Sequence, residues 1–224
     1  MIEIERVSHR FIDRTVLRDV TVTLAEHRIG VIGANGSGKS TFARLINGLV
    51  RPSEGRVSVD GLDTRRDAGK IRRKVGFVFT DPDNQIVMPT VAEDVAFSLR
   101  RAKLPREEVR RRVTAALERF GLSDHADHPA HLLSGGQKQM LALAAVLATE
   151  PTTVVCDEPT TLLDLRNTRM VGTLLHQLPQ RVVLVTHQLD LLDGYDRVLV
   201  FDDGRLVVDD RPGPAVAAYR RLMT

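Results

Sequence analysis

The sequence is poor in residues that form disulfides, stack on bases or span membranes. Its 224 residues include one cysteine, Cys156, no tryptophan and only 4% aromatic side chains. A single cysteine excludes an internal disulfide, and so few aromatics disfavour a surface that stacks nucleic-acid bases. The apolar stretch at residues 140–149 has ten residues, whereas a membrane-spanning helix needs roughly 20. We therefore expect no bilayer crossing.

An excess of one charge sign is also missing. Lys and Arg total 32 against 29 Asp and Glu, a formal net charge of +3, which gives little support for a nucleic-acid partner. The first residues, MIEIER, are acidic where a secretory signal peptide has basic residues and then an apolar run. With 42% apolar and 27% charged residues, the composition is that of a globular protein, and we expect it to face the cytosol.

Apolar runs typical of buried strands recur along the chain. They lie at residues 2–7, 16–24, 28–32, 56–59, 75–79, 153–156, 182–185 and 197–201. Several are continuous runs of Val, Ile and Leu, and helical stretches separate most of them, which favours an α/β fold with a largely parallel sheet. Residues from about 90 to 150 show no strand pattern. We expect one domain over residues 1–224, in which residues from about 90 to 150 form a helical subdomain inserted into a core of residues 1–89 and 151–224.

A glycine-rich segment links one of these runs to a helical stretch. Residues 33–40, GANGSGKS, fit the pattern G-x-x-x-x-G-K-[ST] of a phosphate-binding loop, the P-loop. Glycines let backbone N–H groups turn towards phosphate oxygens, Lys39 reaches the β- and γ-phosphates, and Ser40 is a ligand of Mg²⁺. The candidate ATP-binding residues here are Gly33, Ala34, Asn35, Gly36, Ser37, Gly38, Lys39, Ser40 and Thr41.

Two further segments complete the pattern. The apolar run 153–156 is followed directly by Asp157 and Glu158. In P-loop proteins an Asp at the end of a strand holds the Mg²⁺ shell, and an adjacent Glu can orient or deprotonate water. Residues 133–137, LSGGQ, place a serine and two glycines before a helical stretch, which is a second anion-binding device. Since one nucleotide does not need two such cradles, the second is predicted to serve a nucleotide held by another copy.

In this order, the motifs resemble the ATP-binding cassette (ABC) ATPase family over essentially the whole chain. The P-loop is followed by LSGGQ at 133–137, by DEPT at 157–160, by TLLD at 161–164 and by His187. The resemblance implies a P-loop NTPase fold of the ABC type with an antiparallel β subdomain. It also implies a head-to-tail dimer, in which each ATP lies between one P-loop and the partner's LSGGQ signature.

The resemblance assigns a role to each motif residue. Lys39, Glu158 and His187 would be catalytic, with His187 on the γ-phosphate, and Ser40 and Asp157 would be the metal ligands for Mg²⁺. Ser134, Gly135, Gly136 and Gln137 would form the trans signature, which contacts the nucleotide bound by the partner. Asp164 would couple the two sites. Phe11 would stack on adenine; the alternative is that Phe11 is an ordinary core residue.

A narrower resemblance is to ATPases of the energy-coupling-factor (ECF) type, which serve uptake of cobalt, nickel or vitamins, and above all to the short subunits of biotin transport. It rests on VFTDPDNQ at 78–85 and PTVAEDVAF at 89–97. It implies a peripheral subunit on the cytoplasmic face of the cell (inner) membrane. Its partners would be a second ATPase subunit, with a homodimer favoured, a transmembrane coupling subunit docked near residues 85–100, and a substrate-binding membrane subunit.

One position departs from the family pattern. A glutamine usually follows the strand directly, where this chain has Thr80; Gln85, five residues later, stands at the family's second glutamine. Either the Thr80 hydroxyl binds Mg²⁺ or water, or Gln85 is re-aimed to replace the missing amide. The unshifted spacing of residues 81–85 favours the first interpretation.

Alternatives remain at the level of the sequence. One is a soluble ABC protein that acts on ribosomes or nucleic acid, although such proteins usually have two cassettes or a long coiled-coil insertion. The others are a conventional importer or exporter cassette and an ATP sensor without turnover. Residues 123–131 hold three His and two Asp, but Pro129 interrupts any helix that would align them, which favours a polar turn over a metal site. Seven basic residues at 100–112 indicate a solvated helix face or a contact with anionic lipid or an acidic partner.

Overall fold

The computed structural model describes all 224 residues and arranges the strands in two sheets. The antiparallel sheet, in the order β2-β1-β4-β5, contains β1 (Ile2–Phe11), β2 (Arg14–Leu24), β4 (Glu54–Val59) and β5 (Leu62–Asp63). The second sheet, in the order β10-β9-β3-β8-β7-β6, contains β3 (Arg28–Gly33), β6 (Val75–Val78), β7 (Thr153–Asp157), β8 (Arg181–Val185), β9 (Arg197–Asp202) and β10 (Arg205–Asp210). All neighbours in it are parallel except β10, which pairs antiparallel with β9.

Helices surround the second sheet and fill the segment without strands. They are α1 (Lys39–Ile46), α2 (Ala68–Lys74), α3 (Val91–Ser98), α4 (Arg106–Arg119), α5 (Gly135–Leu147), α6 (Leu165–Gln177) and α7 (Pro212–Leu222). Short 3-10 turns at Leu99–Ala102, Ser123–His125 and Ala130–Leu132 connect α3, α4 and α5. None of the helices combines the length and the apolar character that a bilayer crossing requires.

The six-stranded sheet is covered on both faces by apolar cores. Val154 and Cys156 of β7 point into a core shared with α5 and α6, and Val155 between them points into a second core with α1 and the antiparallel sheet. Successive side chains of a strand face opposite sides of the sheet, and here both sides are apolar cores. Every residue of β7 in the cores is therefore apolar, which explains the continuous apolar run in the sequence. Cys156 is a buried free thiol, as expected for a small core residue, and burial raises its pKa.

The α/β fold predicted from the apolar runs is confirmed. Two strands, β5 and β10, were not predicted from the sequence. β5 has two residues, and β10 is an edge strand whose residues are half-buried or exposed, so neither carries an apolar run. In the parallel sheet, Val31 pairs with Val185 and Val185 with Asp157. This register places the carboxyl ends of β3, β8 and β7 side by side, which is where parallel α/β sheets bind ligands.

Candidate ATP site

The loop between β3 and α1 can be formed only with glycine at two positions. Gly33 has φ +152°, and a Cβ there would lie 2.1 Å from the carbonyl oxygen of Phe201. Gly38 has φ +99°, and its Cβ would lie 2.7 Å from the carbonyl oxygen of Val16. Both backbone conformation and space therefore exclude a side chain at these two positions.

Lys39 lies buried under this loop. Its Nζ donates to the carbonyl oxygens of Gly33 and Ala34, at 2.8 Å each. Burial lowers the pKa of Lys39, while the carboxylates of Glu158 and Asp157 act in the opposite sense. A buried cation near two carboxylates can neutralise phosphate charge at this position.

Ser40 and Asp157 face each other across the ends of α1 and β7. The Ser40 hydroxyl donates to Oδ1 of Asp157 at 2.8 Å, and Asp157 is fully buried. Burial raises the pKa of Asp157, against the effect of the Ser40 hydrogen bond and of Arg44, whose Nη2 lies 3.4 Å from Oδ2. A hydroxyl and a carboxylate are the hard oxygen donors that Mg²⁺ prefers, so the residues fit that ion. Arg44 was missed from sequence, although its i+4 spacing from Ser40 puts both on one helix face.

Glu158 is held between two side chains. Nδ1 of His187 lies 2.6 Å from Oε2 of Glu158, and the hydroxyl of Thr161 donates to the same oxygen at 2.9 Å. The backbone of Glu158 is left-handed, with φ 53°, which is uncommon outside glycine and typical of functional sites. The structure thus brings together Glu158 and His187, which were predicted separately as catalytic residues, whereas the TLLD motif gave no role to Thr161, its first residue.

Phe11 lies at the rim of the pocket beside the P-loop. Half of its surface is exposed, and His9 packs edge-on against its ring with centroids 4.5 Å apart. This support leaves Phe11 accessible for stacking. Arg14 and Val16 line the same pocket, and nothing in their spacing marked them in the sequence.

The signature residues lie away from this pocket. Ser134 caps α5: its Oγ accepts from the N–H of Gln137 at 3.3 Å, and Oε1 of Gln137 accepts from the N–H of Ser134 at 2.9 Å. A Cβ on Gly136 would lie 2.8 Å from Nδ2 of Asn167 in α6. Asp164 caps that helix by accepting from the N–H of Asn167 at 2.7 Å. The signature therefore packs against the segment that contains Asp164 and not against the P-loop.

Thr80 and Gln85 have different partners. The hydroxyl of Thr80 donates to the carbonyl oxygen of Asp157 at 2.7 Å. Oε1 of Gln85 accepts from the N–H of Phe79, and Nε2 of Gln85 donates to the carbonyl oxygen of Ala142, at 3.2 Å each. Thr80 thus lies beside the candidate metal ligand, while Gln85 links the end of β6 to α5.

A P-loop after β3, acidic residues at the end of β7 and an LSGGQ segment on an inserted helical subdomain together define an ABC-type ATPase. The chain belongs to the ABC transporter family, whose family model matches residues 17–161. This confirms the family predicted from the sequence motifs.

Individual relatives place the chain within that family. It is 47% identical over 221 residues to the biotin transport ATP-binding protein BioM of Rhizobium etli, covering 99% of this chain and 98% of that protein. It is 43% identical over 204 residues to the energy-coupling factor transporter ATP-binding protein EcfA1 of Caldanaerobacter subterraneus, covering 88% and 74%. The solved structure of CbiO1 from Clostridium perfringens, part of the ABC transporter complex CbiONQ, has TM-score 0.85 and 32% identity, covering 99% and 92%. EcfA1 carries the name of the energy-coupling-factor type, to which the sequence motifs were predicted to belong.

Proposed function

We propose that this chain is the ATP-hydrolysing subunit of an ECF uptake transporter that imports a vitamin, with biotin favoured, through separate membrane subunits. The observation that carries the proposal is an apolar groove between the end of β6 and helices α3 and α5. Its apolar lining consists of Leu49, Val75, Phe77, Phe79, Val87, Phe97, Ala145 and Val146. Val87 and Phe97 are 62% and 44% exposed, and exposed apolar surface of this kind marks an interaction site.

A helix of a transmembrane coupling subunit is the occupant that we assign to this groove. The segment that resembles ECF ATPases, residues 78–97, forms one wall, and the solved relative CbiO1 is part of a multisubunit transporter complex. Gln85 lies in that wall, and Thr80, five residues earlier, contacts Asp157. A displacement of the wall by the occupant would therefore reach the ATP site within a few residues.

The chemistry follows from the cis half of the site. Glu158 polarises a water for in-line attack on the γ-phosphate, Lys39 neutralises the β- and γ-phosphates, and His187 contacts the γ-phosphate. Ser40 and Asp157 would hold Mg²⁺, which when bound neutralises further phosphate charge. These side chains are already collected around one end of the parallel sheet.

The rest of the site comes from a second copy in a homodimer. The partner's Ser134 and Gly136 contact the γ-phosphate, Phe11 stacks on adenine in cis, and Asp164 couples the two sites. The dimer acts at the cytoplasmic face of the membrane, held there by the coupling subunit and a substrate-binding membrane subunit.

A photocrosslinking experiment tests the groove. With a photoreactive amino acid at Val87 or Phe97 in the native host, crosslinks to a multispanning membrane protein are expected, but none from Val207, which is exposed on β10. The double variant Val87→Glu and Phe97→Glu should lose membrane association and keep its basal ATPase activity. Recovery of ribosomal proteins or nucleic acid instead would contradict transport.

Uptake assays then identify the substrate. Cells that carry the complete transporter should accumulate labelled biotin, and Lys39→Ala in this subunit should abolish the accumulation. Uptake of Co²⁺ or Ni²⁺ without biotin uptake would support the cobalt or nickel alternative and contradict the vitamin assignment.

A further inference from the structure

Five cations on the helical subdomain have no acidic partner, and we call them the basic patch. They are Arg100, Arg101, Lys103, Arg106 and Arg110. All five are exposed, and none of their side chains forms an ion pair or a hydrogen bond. The neighbouring Arg111 and Arg112 instead pair with Glu108, at 2.7 Å each. The positive charge of the patch is therefore not neutralised within the chain.

Few acidic residues accompany the patch. Residues 100–106 contain no Asp or Glu. Because Glu108 already accepts from two guanidinium groups, Glu107 is the one exposed carboxylate within residues 100–112. The segment as a whole therefore presents an excess of positive charge to its surroundings.

The patch presents this charge without apolar surface. Leu99 is buried, and Leu104, Val109 and Val113 pack against the same core. An amphipathic helix that inserts between acyl chains exposes such residues instead. The patch can therefore attract a negatively charged surface but has no large apolar side chain with which to enter a membrane.

The basic patch begins where the apolar groove ends. Phe97 and Ser98 of α3 line the groove, and Arg100 follows two residues later. A second element at the groove also carries cations: Arg72 of α2 lines it, and the next residue, Arg73, is exposed and has no acidic partner. Exposed cations thus adjoin the surface that we assign to a transmembrane subunit.

Anionic lipid headgroups are the ligand that this position favours. A transmembrane subunit is surrounded by lipid, so the surface just outside the groove would lie next to headgroups. Clusters of about four to eight Lys and Arg beside a membrane-spanning segment are typical of sites that attract anionic lipids. Residues 99–113 contain no aromatic side chain, so the patch lacks the stacking platform of a site for single-stranded nucleic acid.

We propose that the basic patch binds the anionic headgroups of membrane phospholipids next to the docked coupling subunit. The inference rests on the proposed function, because the groove gives the patch its place at the membrane. A contact made by charge alone is weak and is screened by salt. It therefore adds to the contact in the groove and does not replace it, as expected where stable anchoring takes two signals.

Vesicle flotation of the purified full chain tests the patch without any membrane protein. At about 0.1 M salt the chain should float with vesicles of phosphatidylglycerol and phosphatidylcholine in equal parts, but not with phosphatidylcholine alone. At about 1 M salt, where screening acts over about 3 Å, the binding should be lost. Equal binding to the two kinds of vesicle would overturn the proposal.

Two double variants locate the binding on the surface. Arg100→Gln with Lys103→Gln should weaken binding to the anionic vesicles about 25-fold, about fivefold for each charge. The matched control, Arg220→Gln with Arg221→Gln, removes two exposed cations from α7. This helix packs on β9 and β10, at the sheet edge opposite β6, so the control should change the binding less than about twofold. An equal loss in both variants would overturn the proposal.

Ala102→Lys provides a variant with the opposite sign. It adds a cation to the exposed turn between Arg101 and Lys103 and should strengthen vesicle binding about fivefold. If the Arg100 and Lys103 double variant does not fold, this comparison decides alone, and an unchanged affinity would overturn the proposal.

An acidic partner protein would give a different result. In that case the Arg100 and Lys103 double variant would keep its binding to vesicles and lose co-purification with the coupling subunit, which would also overturn the proposal. A missing crosslink from Val87 leaves the flotation test intact, because the vesicles contain no protein. Failure of the proposed function and failure of this inference are therefore distinguishable.

Discussion

The two halves of the ATP site differ in how completely one chain builds them. At the end of the parallel sheet, Lys39, Asp157 and Glu158 are each tied to other residues of the same site. In the helical subdomain, Ser134 is exposed, and its hydroxyl oxygen accepts only from the N–H of Gln137. Sheet register assembles the first half before any ligand arrives, whereas the second is a helix N-terminus, and in our proposal its ligand is held by another copy.

Side-chain contacts join the two halves within the chain. Gln85 links the end of β6 to the carbonyl oxygen of Ala142 in α5, and Lys138 of α5 pairs with Asp83 at 2.7 Å. Gln85 also lines the apolar groove assigned to the membrane subunit. We call the residues at the end of the parallel sheet, Lys39, Asp157 and Glu158, the preassembled half, and the signature at 133–137 the dependent half. The predictions below test the contrast between these two halves.

The largest effect is expected in the preassembled half. Glu158→Gln removes the proposed base for the attacking water, and turnover should fall by about 10² to 10³-fold. ATP binding should persist, because Lys39 and the P-loop are untouched, and ATP-dependent dimers should accumulate on size-exclusion chromatography. Glu107→Gln on the exposed face of α4 is the matched control and should leave turnover unchanged. A loss of less than about threefold would assign the base to another group.

The dependent half can be tested by mixing two inactive chains. Ser134→Asp keeps a residue suited to cap α5, but its charge should repel the partner's γ-phosphate and reduce turnover about tenfold or more. Lys39→Ala blocks the cis half. A dimer of one chain of each kind has one intact site, so an equal mixture should recover about a quarter of the normal activity.

Two results would contradict this division between copies. Ser123→Asp, an exposed change in the same subdomain, should be fully active, and its inactivation would indicate a general charge effect. A mixture no more active than the mean of its two components would place signature and P-loop on the same nucleotide.

The contrast also explains how much could be predicted from sequence. The apolar runs and the P-loop spacing predicted the parallel core and the meeting of Ser40 with Asp157, because strand order and register place motif ends at one edge. The contacts of Arg44, Thr161 and Gln137 depend on side-chain packing between elements distant in sequence, which no local pattern encodes. Gln137 was predicted only as a signature residue, and its bond to His125 became visible in the three-dimensional structure.

A smaller effect concerns the stability of the preassembled half. Burial raises the pKa of Asp157, so the folded chain holds the proton more tightly than the unfolded chain and the ionised carboxylate costs stability at neutral pH. Asp157→Asn should raise the melting temperature without Mg²⁺ or ATP by about 2–4 °C, the equivalent of about 1 kcal/mol, and abolish hydrolysis. The gain should shrink as the pH is lowered and the carboxyl gains its proton, while Asp190→Asn, exposed, should have no effect. A lower melting temperature would mean that the Ser40 and Arg44 contacts outweigh burial.

The smallest effects are expected where the two halves meet. Thr80→Gln places an amide beside Asp157 and should shift the Mg²⁺ concentration for half-maximal hydrolysis about threefold, since Thr80 contacts that residue directly. Gln85→Ala breaks the bonds to Phe79 and Ala142; hydrolysis by the isolated subunit should stay within about twofold, while uptake per ATP hydrolysed by the complete transporter should fall. Asn84→Ala, next to Gln85, is the control for general damage to the loop. If Gln85→Ala alone abolished Mg·ATP hydrolysis in the isolated subunit, Gln85 and not Thr80 would serve the nucleotide, and the two roles would be reversed.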